Sequence, residues 1–586
     1  MDPVTISVVR GSLEQISDEM DQHLIRAAIS PIISETNDCA HGIFHPTTGE
    51  TIAQGRIGLP VFLASMQFTV QNVLRIAEAE GGFKPGDVWI LNDPYVGGTH
   101  LQDVQLVAPF FHGDRLVALM ASTGHWMDIG GSVAGGWAPT ETEIHQEGLL
   151  IPAVKLYDGG VRNDALVKMF TANVRLPEEI AGDLSAMVNV FKVGTRGLET
   201  LIERYGVETL DACLDDMIQR SERQMRSYIQ DIPDGSYAFE DMLDNDGIDD
   251  APLALAIRVT VAGDRMSMDF TGTSPSCKGP LNLSRNTALS SCYVAIKHIF
   301  PDVPVNGGTF RPVEIVIPEG SIMAANYPTP VGGYLEIVGK VIDVVFGALS
   351  QAIPERTPAA SFGTTGVMTV SGRNPRSGRF YVGVFPYPGG YGATKASDGL
   401  IHGNTPQSMA NFMSIEMSEH RYPVRFDYFR MRGDSGGAGW HRGGCGSEYR
   451  IEARADCTVS VLGDRVDRPP FGIVGGGDAA ANLVEFETGG ETWTPAMRSK
   501  LEKQLLHAGE AVHVASPGGG GFGNPLDRDV AEVERDLNLG YIGRDTAERD
   551  YGAVVAEERS LGDRSVYKLD ADATEANRLA HRRAAE

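Results

Sequence analysis

The sequence lacks any long apolar run. None of its 586 residues lies in an uninterrupted apolar stretch close to the roughly 18 residues that a membrane-spanning helix needs. The opening segment MDPVTISVVRGSLEQISDEM also lacks the basic and apolar parts of a secretory signal. We therefore predict a cytoplasmic protein with no membrane-spanning helix.

Cysteine is scarce, and its distribution argues against a disulfide framework. The cysteines are dispersed, and none forms a CxxC pair. This pattern is typical of reduced thiols in a cytosol, where most cysteines are small buried hydrophobes. The six are Cys39, Cys213, Cys277, Cys292, Cys445 and Cys457.

Positive charge is also in deficit. The chain has 50 Lys and Arg residues against 77 Asp and Glu residues, which gives a formal charge of −27. A surface this acidic repels phosphate backbones and anionic lipid headgroups. We therefore expect neither a nucleic-acid partner nor a membrane surface.

Two nucleotide-binding motifs are missing. The sequence has no GxxxxGK[ST] loop, and no GxGxxG is followed by the acidic residue of a dinucleotide site. The segment SPGGGGFGNPLDRD, residues 516–529, resembles a phosphate-cradling loop without the lysine and hydroxyl. An anion or a close interdomain contact would suit this segment, but a structural glycine turn is favoured.

Apolar periodicity predicts a mixed α+β fold of several subdomains, with substantial antiparallel sheet, flanking helices and Gly-rich loops. The 69 glycines cluster, which predicts tight turns and close backbone approaches. We predict three regions: a metal-site-bearing region at 1–234, a mixed region at 235–355, and a Gly-rich, mainly β region at 356–586. The third region ends in short helices at 526–552 and a mobile tail of about fifteen residues. The other predicted helices span 5–30, 61–80, 173–204, 207–230, 284–300, 336–352 and 406–418.

The strongest candidate site lies in NDPYVGGTHLQDV and the following STGHWMDIGG. These segments place His100 three residues before Asp103, and His125 another 22 residues on. Two imidazoles and a carboxylate form a common ligand set for Zn²⁺, Mn²⁺ or Fe²⁺, and three protein ligands leave positions free for water or substrate. The spacing alone also fits hydrogen-bonded surface groups.

Several neighbouring residues are candidate further ligands or outer-shell acceptors. Asp38 and His41 occupy an earlier turn, and Glu143 and His145 occupy a later one. Such partners orient ligating imidazoles. Two further segments, with His420, Arg421, Tyr422 and Arg465, are candidates for binding a substrate carboxylate or phosphate, with structural salt bridges as the default alternative.

Long motifs in order along the chain resemble the hydantoinase B/oxoprolinase family. They are WILNDPYVGGTHLQDV, GHWMDIGG, TEIHQEGLLIP, MRGDSGGAGWHRGGCG and SPGGGGFGNPLDRD with AERDYG, and the resemblance runs from about residue 3 to 555. The family includes subunits of N-methylhydantoinase and caprolactamase, and related subunits of acetone and acetophenone carboxylases. Its metal motif falls on His100, Asp103 and His125, with Asp38 as a fourth or neighbouring carboxylate.

The resemblance implies a division of labour. A separate hydantoinase A-type subunit would bind ATP-Mg and phosphorylate the substrate carbonyl, and a chain resembling this one would complete the reaction with a divalent metal. Zinc or manganese is expected, with iron as a further option. One departure is notable: many hydantoinase-type members have two adjacent histidines where this chain has His125 and Trp126, so a bulky indole is expected to reshape the substrate pocket.

Three functions follow as hypotheses. The first is an ATP-dependent hydrolase of cyclic amides, in which Asp38 or Glu143 accepts the proton of the attacking water. The second is an ATP-dependent ketone carboxylase with the same metal. The third is a non-catalytic scaffold subunit with a degenerate site.

Overall fold

The computed structural model describes residues 2–562 and 564–585. The helices are α1 (Pro3–Ala27), α2 (Pro31–Ser34), α3 (Pro60–Ala79), α4 (Ile144–Glu147), α5 (Asp164–Ala172), α6 (Pro177–Tyr205), α7 (Val207–Gln230), α8 (Arg285–Ile299), α9 (Gly307–Phe310), α10 (Tyr334–Leu349), α11 (Ile415–Arg421), α12 (Val530–Leu539), α13 (Arg544–Tyr551) and α14 (Ala571–Ala585). In the described residues, none of these helices has the length and apolar character needed to cross a bilayer.

The strands form four sheets and a hairpin. They are β1 (Cys39–Phe44), β2 (Thr51–Gln54), β3 (Val88–Leu91), β4 (Asp103–His112), β5 (Arg115–His125), β6 (Val154–Asp158), β7 (Val161–Arg162), β8 (Gly235–Leu243), β9 (Leu253–Ala262), β10 (Arg265–Asp269), β11 (Val313–Val316), β12 (Val367–Arg373), β13 (Phe380–Pro386), β14 (Val424–Met431), β15 (Ser447–Ala453), β16 (Cys457–Leu462), β17 (Leu483–Thr488), β18 (Glu491–Trp493), β19 (Lys500–Leu506), β20 (Ala511–Ala515), β21 (Val555–Leu561) and β22 (Arg564–Leu569). The mixed α+β architecture with antiparallel sheets confirms the predicted fold class.

The largest sheet carries the candidate metal motif. Its seven strands run in the order β2-β1-β5-β4-β3-β6-β7, and all its pairings are antiparallel. Helices α1, α6 and α3 pack against its central strands. The central strands β1, β4 and β5 are therefore buried along most of their length.

The three smaller sheets occupy the rest of the chain. Their strand orders are β11-β10-β9-β8, β13-β12-β16-β19 and β14-β15-β20-β17-β18. Only the pairing of β10 with β11 among these described strands is parallel. Strand β8 begins at the predicted boundary of 235, yet buried apolar side chains on both sides of it belong to one continuous core. The three-region division stays a prediction.

The apolar spacing of the first helix explains its position. Asp2 caps α1 by accepting a hydrogen bond from the Thr5 backbone N–H, and Pro3 supplies a φ suited to a first helical turn. The apolar stripe of α1 is buried, and it packs on α6 and the large sheet. The stripe consists of Ile6, Val9, Leu13, Ile16, Met20 and Leu24.

The clustered glycines bring backbone against backbone. A Cβ on Gly519 would lie 1.9 Å from the Tyr391 carbonyl oxygen, and one on Gly443 would lie 1.8 Å from that of Gly519. The N–H of Gly519 donates to Gly444 O at 2.9 Å. The segment 516–529 is therefore part of a close-packed glycine core. This agrees with its interpretation as a structural glycine turn.

Two predicted helical details are wrong. The helix predicted at 406–418 begins later, because 402–413 is irregular and Ser414 caps α11 through the Met417 N–H. The tail predicted to be mobile contains α14, which Arg582 ties to the body through Asp527 and Leu526 O. The two short helices predicted at 526–552 are confirmed as α12 and α13.

A buried ionic network links these parts of the fold. Asp464 lies between two lysines, 3.1 Å from Lys500 Nζ and 3.4 Å from Lys340 Nζ, and all three side chains are fully buried. Burial acts to raise the pKa of Asp464, but the two lysines outweigh burial and lower that pKa to about 2. The carboxylate therefore stays charged between two buried cations, Lys340 of α10 and Lys500 of β19, and Asp241 lies 3.7 Å from Lys340 as a further countercharge.

Replacing Asp464 with Asn should destabilise the protein strongly. The D464N variant leaves Lys340 and Lys500 buried without their shared countercharge, which costs about 3–5 kcal/mol. A matched acid-to-amide change at the exposed pair Glu319–Arg285, E319Q, should cost less than about 1 kcal/mol. Thermal unfolding of both variants measures the difference, and equal melting temperatures would contradict a stabilising role for the network.

Candidate metal centre

Strand pairing brings the predicted ligands together. In the β4–β5 ladder, Asp103 is directly opposite His125. His100 lies in the turn before β4, where its carbonyl accepts the Asp103 N–H. Asp38 precedes β1, and its carbonyl accepts the His125 N–H at 3.1 Å. Three segments that are distant in sequence therefore meet at one end of the large sheet.

The ligand atoms of His100, Asp103 and His125 form a tight triangle. Asp103 Oδ1 is 2.9 Å from His125 Nδ1 and 3.2 Å from His100 Nε2, and the two imidazole nitrogens are 3.4 Å apart. Bonds of about 2.0–2.2 Å at tetrahedral or octahedral angles place the ligands of one ion about 2.8–3.6 Å apart. The three side chains therefore fit a divalent metal, and all three are buried.

The second oxygen of Asp103 is fixed by two hydroxyl groups. Tyr334 Oη donates to Asp103 Oδ2 at 3.2 Å, and the Thr99 hydroxyl donates to the same oxygen. Tyr334 begins α10, so a helix from the predicted middle region orients a carboxylate of the first region. Such partners orient metal-ligating carboxylates and leave the other oxygen available.

The cluster shifts the pKa values of its own members. Burial acts to raise the pKa of Asp103, but His100 and His125 outweigh burial and hold that pKa far below its usual range. Burial lowers the pKa of His100, although Asp103 opposes this. Burial also acts to lower the pKa of His125, but the carboxylates of Asp38 and Asp103 raise it overall. The cluster therefore keeps Asp103 ionised at neutral pH.

Asp38 lies beside the triangle rather than in it. Among the described residues, only His100, Asp103 and His125 form a group whose potential ligand atoms all lie within 4.8 Å of one another. Asp38 interacts electrostatically with His125 and Asp103. Burial raises the pKa of Asp38 to about 7, with Asp103 acting in the same direction and His125 in the opposite one. Asp38 Oδ1 is buried and has no hydrogen-bond partner in the described residues. This geometry favours a neighbouring carboxylate over a fourth ligand.

A cavity of about 50 Å³ adjoins the centre. Asp38, His125 and Tyr334 line it, together with Trp137, a residue that sequence reasoning missed. The Trp137 ring is nearly parallel to His125, with an interplanar angle of 12° and centroids 6.0 Å apart. Trp137 follows WMDIGG in a glycine-rich turn. Nothing in that stretch of sequence distinguishes it from any other buried aromatic residue.

The indole expected to reshape the pocket points elsewhere. Trp126 is fully buried and packs edge-on against Phe170 of α5 at 6.1 Å. It does not line the described cavity. Trp126 is therefore part of the core, and Trp137 is the indole that lines the cavity.

The later turn lies away from the metal cluster. Glu143 is exposed at the start of α4, and the exposed His145 contacts Tyr327 Oη at 2.8 Å. Neither joins the ligand triangle. Buried Glu147, two residues further on, accepts the Gly332 N–H at 2.6 Å and so anchors the loop before α10.

The predicted anion-binding arginine is occupied by structural ion pairs. Arg465 is fully buried and pairs with Asp241 at 2.7 Å and with Asp343. Arg421 lies near Glu35 at 3.9 Å. Arg465 therefore forms structural salt bridges, which was the alternative to anion binding. Neither Arg465 nor Arg421 lines the cavity at the candidate metal centre.

A second buried cluster has the order of a serine–histidine–aspartate relay. Ser122 Oγ is 2.9 Å from His41 Nε2, and His41 Nδ1 is 2.7 Å from Asp21 Oδ1. All three side chains are fully buried, and Ser122 lines none of the described cavities. The relay therefore ties α1 to strands β1 and β5, and it offers no access to a substrate.

Another serine has the spacing of a nucleophile elbow. Ser435 is the central residue of GDSGG, residues 433–437, which has the form GxSxG. Its Oγ donates to Arg432 O at 2.5 Å and accepts the Gly446 N–H at 2.8 Å. Ser435 is thus committed to backbone hydrogen bonds within the glycine core.

The relay predicts a stability effect without a catalytic one. In S122A, His41 Nε2 loses its buried partner, so the free energy of unfolding should fall by about 1–3 kcal/mol. Turnover per folded molecule should stay within about twofold of the parent chain. The exposed Ser185, whose hydroxyl bonds only within α6, supplies the control S185A. A thousandfold loss of turnover in S122A with an unchanged melting temperature would instead indicate a nucleophile.

Comparison with known proteins decides the family. The family model described as Hydantoinase B/oxoprolinase matches residues 2–525. The chain belongs to the hydantoinase B/oxoprolinase family. It is 32% identical over 598 residues to the caprolactamase beta subunit of Pseudomonas jessenii, covering 99% of this chain and 100% of that one. It is 30% identical over 575 residues to the B component of a putative D-/L-hydantoinase of Pseudomonas sp. strain NS671, covering 96% of each.

One solved structure supports the same assignment, and a second shows the same fold. The crystal structure of the ATP-dependent caprolactamase from Pseudomonas jessenii aligns with a TM-score of 0.87 and 30% identity, covering 99% of this chain and 100% of that one. A nucleotide-free acetone carboxylase structure aligns with a TM-score of 0.89, covering 100% of this chain and 83% of that one. Its identity is 19%, so this second likeness concerns the fold alone. The predicted family resemblance is confirmed.

Proposed function

We propose that this hydantoinase B/oxoprolinase-family chain is the metal-bearing subunit of an ATP-dependent hydrolase of cyclic amides. The single observation that carries the proposal is the buried triangle of His100, Asp103 and His125 beside a cavity. Hydrolysis of an amide needs an activated water and a group that moves protons, and both requirements suit this site.

A partner subunit completes the proposed enzyme. Two relatives that cover nearly the full chain are themselves named as single subunits of a hydantoinase and of a caprolactamase, which supports a second subunit here. The proposed partner is of the hydantoinase A type, binds ATP-Mg and phosphorylates the amide oxygen. The present chain then directs water to the activated carbon.

The residues of this chain have distinct parts in the proposed reaction. His100, Asp103 and His125 would hold Zn²⁺, Mn²⁺ or Fe²⁺, which would supply Lewis acidity toward water and the substrate oxygen when bound. Tyr334 and Thr99 keep Asp103 oriented. Asp38 faces the same cavity as His125 and is placed to accept a proton from the attacking water.

The proposed step balances as hydrolysis. The oxygen of one water bonds to the activated carbon and the carbon–nitrogen bond of the ring breaks, which leaves an acyl phosphate. A second water then hydrolyses this acyl phosphate to a carboxylate and phosphate. Asp38 takes a proton from water and returns one to the departing nitrogen. The products are a ring-opened amino acid or its carbamoyl counterpart, phosphate, and the ADP formed on the partner.

The proposal predicts metal-dependent, ATP-dependent ring opening. The chain with its hydantoinase A-type partner should release ADP and open caprolactam, hydantoin or 5-oxoproline, at least one of the three, and the purified chain should hold about one divalent ion. In H100A, metal content should fall below about 0.1 per chain and turnover should be lost, because a ligand is missing. The exposed histidine supplies the control H145A, which should change neither.

Other outcomes of this experiment contradict the proposal. Turnover only with a ketone and bicarbonate would identify a carboxylase. A metal-free parent chain, with H100A as active as the parent, would favour a scaffold subunit. Elemental analysis and product detection by mass spectrometry measure both results.

The two candidate proton acceptors can be separated by amide substitutions. D38N should lower kcat by about 10²–10⁴-fold while retaining the metal, because Asp38 lies in the cavity and outside the ligand triangle. E143Q should stay within about twofold, because Glu143 is exposed. Steady-state kinetics and metal analysis of both variants provide the test. A large loss in E143Q with normal D38N activity would reverse the assignment.

A further inference from the structure

A second cavity lies on another face of α3 from the metal centre. It measures about 310 Å³ and is lined by residues of β2, α3, α8 and α9. Pro60, Ala64 and Gln67 of α3 face it, whereas Val61 and Phe62 of the same helix face the cavity at the metal centre. We call it the α3–α8 cavity. Among the described residues, the two cavities share no lining residue, so they are separate sites.

The α3–α8 cavity offers no free charge to a ligand. The Lys297 ammonium group donates to three carbonyl oxygens in the turn after α8, so all its donors are used. The Arg56 guanidinium donates twice to Asp18, at 2.6 and 2.9 Å. No Asp or Glu is among the described residues that line the cavity. Burial of an anion or a cation there would therefore be costly, because neither would find an unpaired partner.

Aromatic and apolar side chains form most of the remaining wall. The rings of Tyr293 and Phe310 are stacked, with centroids 3.7 Å apart and an interplanar angle of 9°. Flat aromatic ligands pack well on such rings and on a thioether. An apolar cavity of about 150 Å³ is large enough for benzene, so a cavity of about 310 Å³ has room for two fused rings. The other apolar lining residues are Pro60, Ala64, Val294, Val305 and Met409.

One carboxamide of the wall has unused hydrogen-bonding capacity. In the part of the chain that the structure describes, Gln54 Oε1 is buried and accepts no hydrogen bond. The neighbouring Gln67 uses its oxygen to accept the Thr51 N–H at 2.9 Å. A buried acceptor without a donor is unfavourable, so a ligand N–H that pairs with Gln54 would stabilise the wall. A carboxamide on the ligand supplies this donor without adding charge.

We propose that the α3–α8 cavity is a second ligand-binding site, which takes a neutral bicyclic aromatic molecule with one carboxamide. The fused rings lie in the apolar part of the cavity, beside Tyr293 and Phe310. The carboxamide pairs with that of Gln54. This site differs from the metal centre in chemistry as well as position, and it does not depend on the proposed hydrolase activity.

The ligand would also contact a segment that walls the cavity at the metal centre. This segment, residues 406–411, forms neither helix nor strand, and we call it the strap. Met409 lines the α3–α8 cavity, while Ser408 and Ala410 line the cavity at the metal centre. His298 of α8, another lining residue, donates to a strap carbonyl at 3.0 Å. A ligand that covers Met409 should therefore favour the present conformation of the strap.

Two probes that differ in charge test the ligand class. Indole-3-carboxamide is neutral, and indole-3-carboxylate is an anion of nearly the same shape. Calorimetry measures their binding to the full-length chain. Indole-3-carboxamide should bind with a Kd of about 1 mM or below, and at least about tenfold more tightly than indole-3-carboxylate. Equal or tighter binding of the anion would overturn the neutral class, and failure of indole-3-carboxamide to bind would overturn the site.

A cavity-filling substitution tests the location. A64F places a ring in the α3–α8 cavity, so it should weaken binding of indole-3-carboxamide at least about tenfold. The matched control A79F adds the same ring at an exposed alanine of α3 and should leave binding within about twofold. H100A alters the metal centre alone and should also leave binding within about twofold, because the two cavities share no described residue. Thermal unfolding verifies that each variant is folded.

Hydrogen exchange locates the ligand without any substitution, and it decides the case in which A64F does not fold. Indole-3-carboxamide should slow exchange in α8 and in the strap by at least about twofold. Equal effects of A64F and A79F, loss of binding in H100A, or slowed exchange only around Asp38 and His125 would each overturn the site. Slowed exchange in α8 alone would overturn the contact with the strap. None of these measurements uses ring opening, so their failure and failure of the proposed function are distinguishable.

Discussion

The register between β4 and β5 is the constraint on which the site depends. It places Asp103 directly opposite His125, and the pairing of β1 with β5 brings Asp38 to the same end of the sheet. Side chains alternate between the faces of a sheet, so a slip of one residue would turn Asp103 or His125 to the wrong face. The helices that bury these strands therefore stabilise the arrangement of His100, Asp103 and His125 as well as the core.

Burial of this cluster makes its charges interdependent. A carboxylate and two imidazoles cannot be removed from water cheaply unless they satisfy one another or a metal. Asp103 meets both histidines through Oδ1 and two hydroxyls through Oδ2. Its orientation is therefore determined before any ion binds. The buried polar groups of Ser122, His41 and Asp21, on the other side of β1 and β5, satisfy one another in the same way. Because they are fully buried, they serve to hold the sheet together.

The proximity of His100, Asp103 and His125 could be predicted from the sequence because these residues lie close together along two neighbouring strands. His100 and Asp103 share one turn and His125 ends the next strand, so spacing and residue type suggested the set, and the family resemblance pointed to the same three residues. Trp137 could not be found in this way, since only the fold places its ring beside His125 at the cavity. Glu143 was predicted on residue type alone, and the structure exposes it. Similarly, Trp126 adjoins His125 in sequence, but successive residues of an extended chain point in opposite directions.

The cavity requires parts of all three predicted regions. Asp38, His125 and Trp137 come from the first region, Tyr334 from the second, and β12 and β13 from the third. Between the second and third regions, Asp464 pairs with Lys340 of α10 and Lys500 of β19, so the helix that presents Tyr334 is itself fixed by a buried charge. The cavity wall and the candidate metal centre are thus connected through α10. A substitution in the cavity wall should therefore also affect the candidate metal centre, and the reverse, because the two share residues of the same helix.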